Sequence, residues 1–290
     1  MQQIGRILFL IAFLSSSICF SQDSTKIQGG IYYKELIYET FLFGKVKNIK
    51  TIDGKDTTEQ FYNKNGQLVF EISPLFKNLH QFIYNTNGNI IQDISYDGSE
   101  PDDEIIGVDS YVFTQDNKLL LEVNDAVRWG FSDKTTFEYD KNGNLSRKES
   151  YSKGQIREVS EFNYNNINKL KEERIFDDSM KFIQKILTKY NDKGKIVDVS
   201  SFDSRNDLTE RFTYDYNERQ FEVKETRYHA FQSYTFEYDN FGHLMKIIQD
   251  TPGYVRNYKL KLDSKNNWVE KLEYVDGKPG EPTTRTITYY

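Results

Sequence analysis

Two short stretches of this chain set a base and an acid two residues apart: Arg147 with Glu149, then Glu172 with Arg174. In an extended strand such residues share one face. They can then neutralise one another as ladder ion pairs, or they can line a solvated groove that hydrogen-bonds a polar ligand. Unpaired, they are too costly to bury. Trp129, in the irregular stretch Asp125–Phe131, and Trp268, near the C-terminal end, add rings that could contact a ligand or plug over a sheet face. The acidic run Asp97–Glu104 offers oxygens suited to calcium from Asp97, Asp102, Asp103 and Glu104. It lacks the spacing of a calcium loop, and a solvated hairpin loop is the plainer reading.

Other chemistry is thin. The three histidines are His80, His229 and His243, and no two stand at a metal-ligand spacing. His229 and His243 read as exposed turn residues. The one cysteine is Cys19, and there is neither a Gly-x-Ser-x-Gly elbow nor a phosphate loop. No cofactor is expected. With 44 acidic residues, paired carboxylates for glycoside cleavage carry no information, so a hydrolase is only a minor alternative. A net charge of −6 repels phosphate backbones and argues against nucleic acid as a partner.

The N-terminus reads as an export signal. Arg6 precedes an apolar run from Ile7 to Leu14, and cleavage after Ser21 is expected. The run is too short to span a bilayer. Lipidation would require Cys19 to become the first residue, and Ser16-Ser17-Ile18 lack the usual leucine and the small neighbour. The reading is therefore a signal over 1–21, an N-terminal segment or cap over 22–43, and a repeat domain over 44–290. The mature chain would lie in the periplasm, on the outer surface or in the medium, without a transmembrane segment and without thiol chemistry.

The elements that must position these residues repeat. Aromatic anchors at Tyr62, Tyr84, Phe113, Tyr139, Tyr164, Tyr190, Tyr214 and Tyr238, with Leu262, recur every 22 to 29 residues. Asp or Asn follows each except Phe113. Four residues on stands Gly or Asn, as at Gly66, Gly88, Gly143, Gly194 and Gly242; the Tyr214 repeat has Glu218 there, read as one extra loop residue. Asp or Asn opens a turn by bonding its own downstream backbone. Gly or Asn closes it in the left-handed region. Aromatics paired at i and i+2 before the turn mark a strand face. A looser turn, as at Ser152–Gln155 and Ser204–Asp207, returns the chain. The fold expected is all-β: tandem antiparallel hairpins in one long meander sheet, curved into an open trough or partial spiral, with the aromatic face inward.

The unit Tyr139-Asp140-x-x-Gly143-Asn144-Leu145 resembles the YD repeat of RHS-like proteins. The opening Phe43–Ile52 and the end of the chain look like short secreted members of the Bacteroidetes group. In large RHS proteins the repeats build a β-shell around a toxic C-terminal domain; none is expected here. The resemblance implies a cell-envelope or sugar-binding role. The function expected is a non-catalytic exported protein whose binding surface takes a saccharide or an envelope protein. The main alternative is a structural protein that self-associates through its sheet edges or aromatic face.

Overall fold

The structure, a computed structural model, describes residues 42–290 apart from 55, 74–77, 99–102, 168, 229 and 251–252. The expected export signal and most of the expected N-terminal segment thus lie outside the described residues. The described residues form 21 strands in one antiparallel sheet, with a single short 3-10 turn at Val127–Trp129.

The hairpin turn is the unit of construction. At Asp140 the main-chain N–H bonds the carbonyl of Asn144, and the Gly143 N–H bonds back to the Asp140 carbonyl. The Asp140 carboxylate accepts from the N–H of Asn142 and of Asn144. Gly143 sits at φ 85°. This is a type I turn closed by a left-handed residue, and the register slips by one at Tyr139/Leu145 as a bulge. The same pair of main-chain bonds recurs at Asn63, Asn85, Thr114, Asp177, Asn191, Asp203, Asn217, Asp239 and Asp263. Gly66, Gly88, Gly194 and Gly242 take the left-handed position in four of them.

Two details depart from the expected repeat. The turn at Ser204–Asp207 is not looser, because it belongs to the same five-residue turn opened by Asp203; the Phe176–Phe182 return is also of this kind. Ser152–Gln155 differs, as a tight turn with Lys153 and Gly154 both at positive φ, and Asp276 with Gly277 make a turn of the same kind. Nor does the Tyr214 repeat carry an extra loop residue. Its turn opens at Asn217 and closes at Gln220, φ 65°. The anchor is therefore Tyr216, and Tyr214 takes the buried place held by Phe82, Phe162 and Phe236 in other repeats.

Three anchor tyrosines also tie their repeat to the one before. The Tyr84 hydroxyl donates to the Leu68 carbonyl (2.6 Å), Tyr139 to Leu119 (2.8 Å) and Tyr216 to Ile196 (2.7 Å).

The open trough is overturned by the ends of the sheet. β1 (Val46–Asp53) pairs with β2 (Asp56–Tyr62) on one side and with β21 (Thr283–Tyr289) on the other, from Val46↔Tyr289 to Asp53↔Thr283. The first and last strands thus hydrogen-bond each other, and the sheet is closed in its connectivity, as a barrel is. A free edge would leave a row of unpaired N–H and C=O groups; pairing the two ends removes it. The two-residue β20 (Lys278–Pro279) folds back on the end of β19 (Trp268–Val275), which also pairs with β21.

The described residues group into two compact units. Unit 1 holds those before Asp109 with Phe236–Ile248 and Tyr254–Tyr290. Its core includes Ile49, Leu68, Leu79, Phe236, Ile247, Tyr258 and Trp268. The closing strands are pinned there by Asn267, whose side chain accepts from the Phe43 N–H (2.6 Å) and donates to the Phe43 carbonyl (2.8 Å) and to the Tyr289 hydroxyl (2.7 Å). Unit 2 holds Asp109–Thr235 and Gln249–Gly253, with Val159, Phe162, Ile175, Ile186, Val199 and Tyr214 buried.

Candidate functional site

Unit 2 sorts its polar residues by face. On β10 (Gln155–Asn165), β11 (Leu170–Asp177) and β12 (Phe182–Tyr190), one face carries Ser160, Phe162, Lys171, Glu173, Ile175, Ile186 and Thr188, all buried. Phe162 stands opposite Glu173, and Glu173 opposite Ile186. The opposite face stays largely half-exposed and is charged. β8 (Phe131–Tyr139) and β9 (Leu145–Ser152) complete it. Register sets Glu138 against Arg147, Arg147 against Glu161, Glu161 against Arg174, and Arg174 against Lys185. One row of charges therefore crosses five strands.

The arginines of the row are paired. Arg147 reaches Glu149 on its own strand (2.8 Å) and Glu161 on the next (3.1 Å). Arg174 bonds Glu172 at 2.5 Å. The Tyr151 hydroxyl donates to Glu149. That bond first, and Arg147 second, hold the Glu149 carboxyl below its usual range, while Glu149 raises the Arg147 guanidinium. Further along, Arg211 bonds Asp198 (2.6 Å) and the Ser200 hydroxyl donates to Asp198 (2.9 Å).

Rings border this row: Tyr151, Phe176, Phe202 and Tyr228. Lys134 lies 4.6 Å from the Tyr151 ring, Lys185 4.6 Å from Phe202, and Arg211 5.0 Å from Tyr228. Phe176 meets Phe182 edge-on at 6.0 Å. Where β8 begins, Gly130, Phe131, Ser132, Lys134, Tyr151, Lys153 and Gly154 line a cleft of about 540 Å³. Trp129 precedes it in the chain and is 65% exposed.

Of the residues singled out from sequence, the structure brings Arg147 and Glu149 together and joins them through Glu161 to the strand of Glu172 and Arg174. The charge pairs form mainly along a strand, between residues two apart, and less across the ladder. The charged stripe lies on the face opposite Phe162, Glu173 and Ile186, and rings on its own face border it. Trp129 stands next to the cleft. Trp268 is only 5% exposed, in the core of unit 1, with the Arg285 guanidinium 3.5 Å from its ring, so it is no contact residue. Asp97 is exposed, the Asp103 carboxylate packs against Gly98, Glu104 opens a strand, and Asp102 lies outside the described residues. Among the described residues no three His, Cys, Asp or Glu side chains gather as a metal site would require.

The histidines held more than the sequence showed. His243 is not an exposed turn residue: it is 3% exposed, bonded through Nδ1 to Asp239 (2.8 Å) and edge-on to Phe43 (6.2 Å). His229 lies outside the described residues. In unit 1, His80 Nδ1 is 3.0 Å from Asp93 and 3.3 Å from the Ser95 hydroxyl, while Nε2 faces Asn78 (3.0 Å). Acid and serine thus meet the same nitrogen. A nucleophile relay needs them on opposite nitrogens. Nearby Glu71 is buried, which raises its pKa against the lowering effect of a Gln60 hydrogen bond.

No helix among the described residues is long and apolar enough to cross a membrane, which leaves crossing by strands untouched. No family model and no curated protein matches the chain. Solved structures resemble it at low similarity. A porin-like protein from Bacteroides uniformis is 12% identical, covering 86% of this chain and 96% of its own, with a TM-score of 0.35. A porin-like protein from Bacteroides vulgatus is 10% identical, covering 84% and 98%, with a TM-score of 0.25. TcdB2-TccC3 without its hypervariable C-terminal region is 10% identical over 78% of this chain, with a TM-score of 0.30, and the match spans 15% of that protein.

Proposed function

We propose that this is a non-catalytic, exported β-repeat protein that binds saccharide on the half-exposed face of unit 2. The observation that carries the reading is the row from Glu138 through Arg147, Glu161 and Arg174 to Lys185, bordered by aromatic rings. Carboxylates and guanidinium groups bond sugar hydroxyls, and ring faces stack on pyranose rings. The pairs already fix these side chains, so a ligand meets groups whose ordering is largely spent before binding. A cleft of about 540 Å³ suits a ligand of a few rings.

Both faces of unit 2 carry charge, Lys171 and Glu173 on one, Arg147 and Arg174 on the other. A strand facing lipid presents an apolar band instead. We therefore read this face as facing water. Assembly through sheet edges loses its basis, because β1 and β21 occupy each other.

The test is calorimetric titration of the chain with a panel of neutral and acidic oligosaccharides, alongside Arg147→Ala and Arg174→Ala. Binding of at least one class, weakened about tenfold by each variant, is expected from the loss of a charge-assisted hydrogen bond. A panel in which nothing binds overturns the reading.

A further inference from the structure

The geometry points to the cleft at the start of β8 as a subsite that selects an acidic saccharide, one whose ring carries a carboxylate or sulfate. This rests on the saccharide reading and adds the class of sugar. The chain as a whole is acidic, at −6. The cleft is not: its lining holds two ammonium groups, Lys134 and Lys153, and no carboxylate. Such a reversal of sign concentrates an anion where the rest of the surface repels it.

The neighbouring acids do not cancel the two lysines. Glu149 is hydrogen-bonded by Arg147 and by the Tyr151 hydroxyl, and Lys134 acts on it only through space and least of its partners. Asp125 stands opposite Ser132 in the register but does not line the cleft. The walls suit a sugar ring. Phe131 and Tyr151 supply apolar surface, and Trp129 is exposed beside them. Gly130 and Gly154 have nothing within 4 Å of where a side chain would begin, so a ring can approach the bare backbone at both. Lys153 holds its place in a two-residue turn at φ 51°, followed by Gly154 at φ 76°, which fixes its position relative to β9.

Three probes separate this inference from the reading beneath it: tetragalacturonic acid, its fully methyl-esterified form, and a sulfated carrageenan tetrasaccharide. At low salt, at least one acidic probe should bind the full chain ten times or more tighter than the neutral ester. Lys134→Gln and Lys153→Asn should each erase most of that preference, and Asn tolerates the left-handed turn position. Trp129→Ala should weaken acid and ester alike. An ester that binds as well as the acids overturns the acidic subsite and leaves saccharide binding standing. So does an acid preference that survives both lysine variants, with their folding verified by circular dichroism. Failure of all three probes together with the neutral panel removes the saccharide reading itself, and this inference with it.

Discussion

The hydroxyl of Tyr84 donates to the carbonyl of Leu68 at 2.6 Å, so the anchor ring of one repeat closes on the first strand residue after the preceding repeat's turn. Tyr139 with Leu119 and Tyr216 with Ile196 do the same. The bond runs from side chain to main chain and adds to the ladder that joins neighbouring repeats. Burial pushes the Tyr84 hydroxyl well above its ordinary pKa, which keeps it protonated and donating. Tyr84→Phe, Tyr139→Phe and Tyr216→Phe should each cost about 0.5–1.5 kcal/mol. Urea denaturation of the three variants measures this, and unchanged midpoints would mean that the bonds add nothing.

The left-handed turn positions give a paired prediction of opposite sign. Gly143, at φ 85°, accepts a side chain only with strain, so Gly143→Val should destabilise by about 1–3 kcal/mol. Met180, at φ 61°, already bears that strain. Met180→Gly should therefore stabilise the fold by roughly 0.5–1 kcal/mol, after the entropy of the freer unfolded chain is counted, and so raise the melting temperature. Thermal melts of both variants decide it.

The turn acids set an acid limb. Backbone N–H groups, of Asn144 for Asp140 and of Asp207 for Asp203, hold both carboxyls below the ordinary carboxylate range. A depressed folded pKa contributes stability that is whole above the unfolded value of about 3.9 and is lost as pH falls through the folded one. Asp140→Asn and Asp203→Asn keep the acceptor, as Asn63 and Asn191 do in the same turn. The double variant should lose stability less steeply below about pH 4 than the parent. Parallel pH–stability curves would contradict this.

Much of the repeat was legible in the sequence because the turn is local chemistry. An Asp or Asn that bonds its own downstream N–H groups, with a Gly or Asn at the left-handed place, shows in seven consecutive letters. Met180 and Gln220 fill that place without the usual residue, which hid one turn and shifted the register of another by two. Closure left no local mark, since Val46 meets Tyr289 across the whole described chain. Trp268 and His243 were misplaced for a related reason: an indole or imidazole beside a turn looks exposed until Arg285, or Phe43, covers it. That Arg147 and Glu149 share a face was legible from alternation alone; that they pair along their own strand was not. Its link to Arg174 through Glu161 was not, because it depends on the pairing register of three strands.

The closing strands respond to alkali. Burial first, and then the Asp263 carboxylate, push the Tyr289 hydroxyl up to about 12. A raised folded pKa contributes stability that is whole below the unfolded value of about 10 and fades as pH rises through the folded one. Stability should fall between about pH 10 and 12, less steeply in Tyr289→Phe. Asn267→Ala removes three bonds to Phe43 and Tyr289 and should cost about 2–4 kcal/mol at neutral pH. A freed edge would also make the variant associate with rising concentration, which sedimentation detects.

The most direct measurement of where the protein works is hydroxyl-radical footprinting with and without saturating tetragalacturonic acid. Trp129, Phe131 and Tyr151 should be protected, with weaker protection of Phe176 and Phe202, while Tyr274 of unit 1 stays unchanged. Protection centred on unit 1, or bound sugar that leaves Trp129 and Tyr151 as reactive as before, would contradict the assignment of the working face.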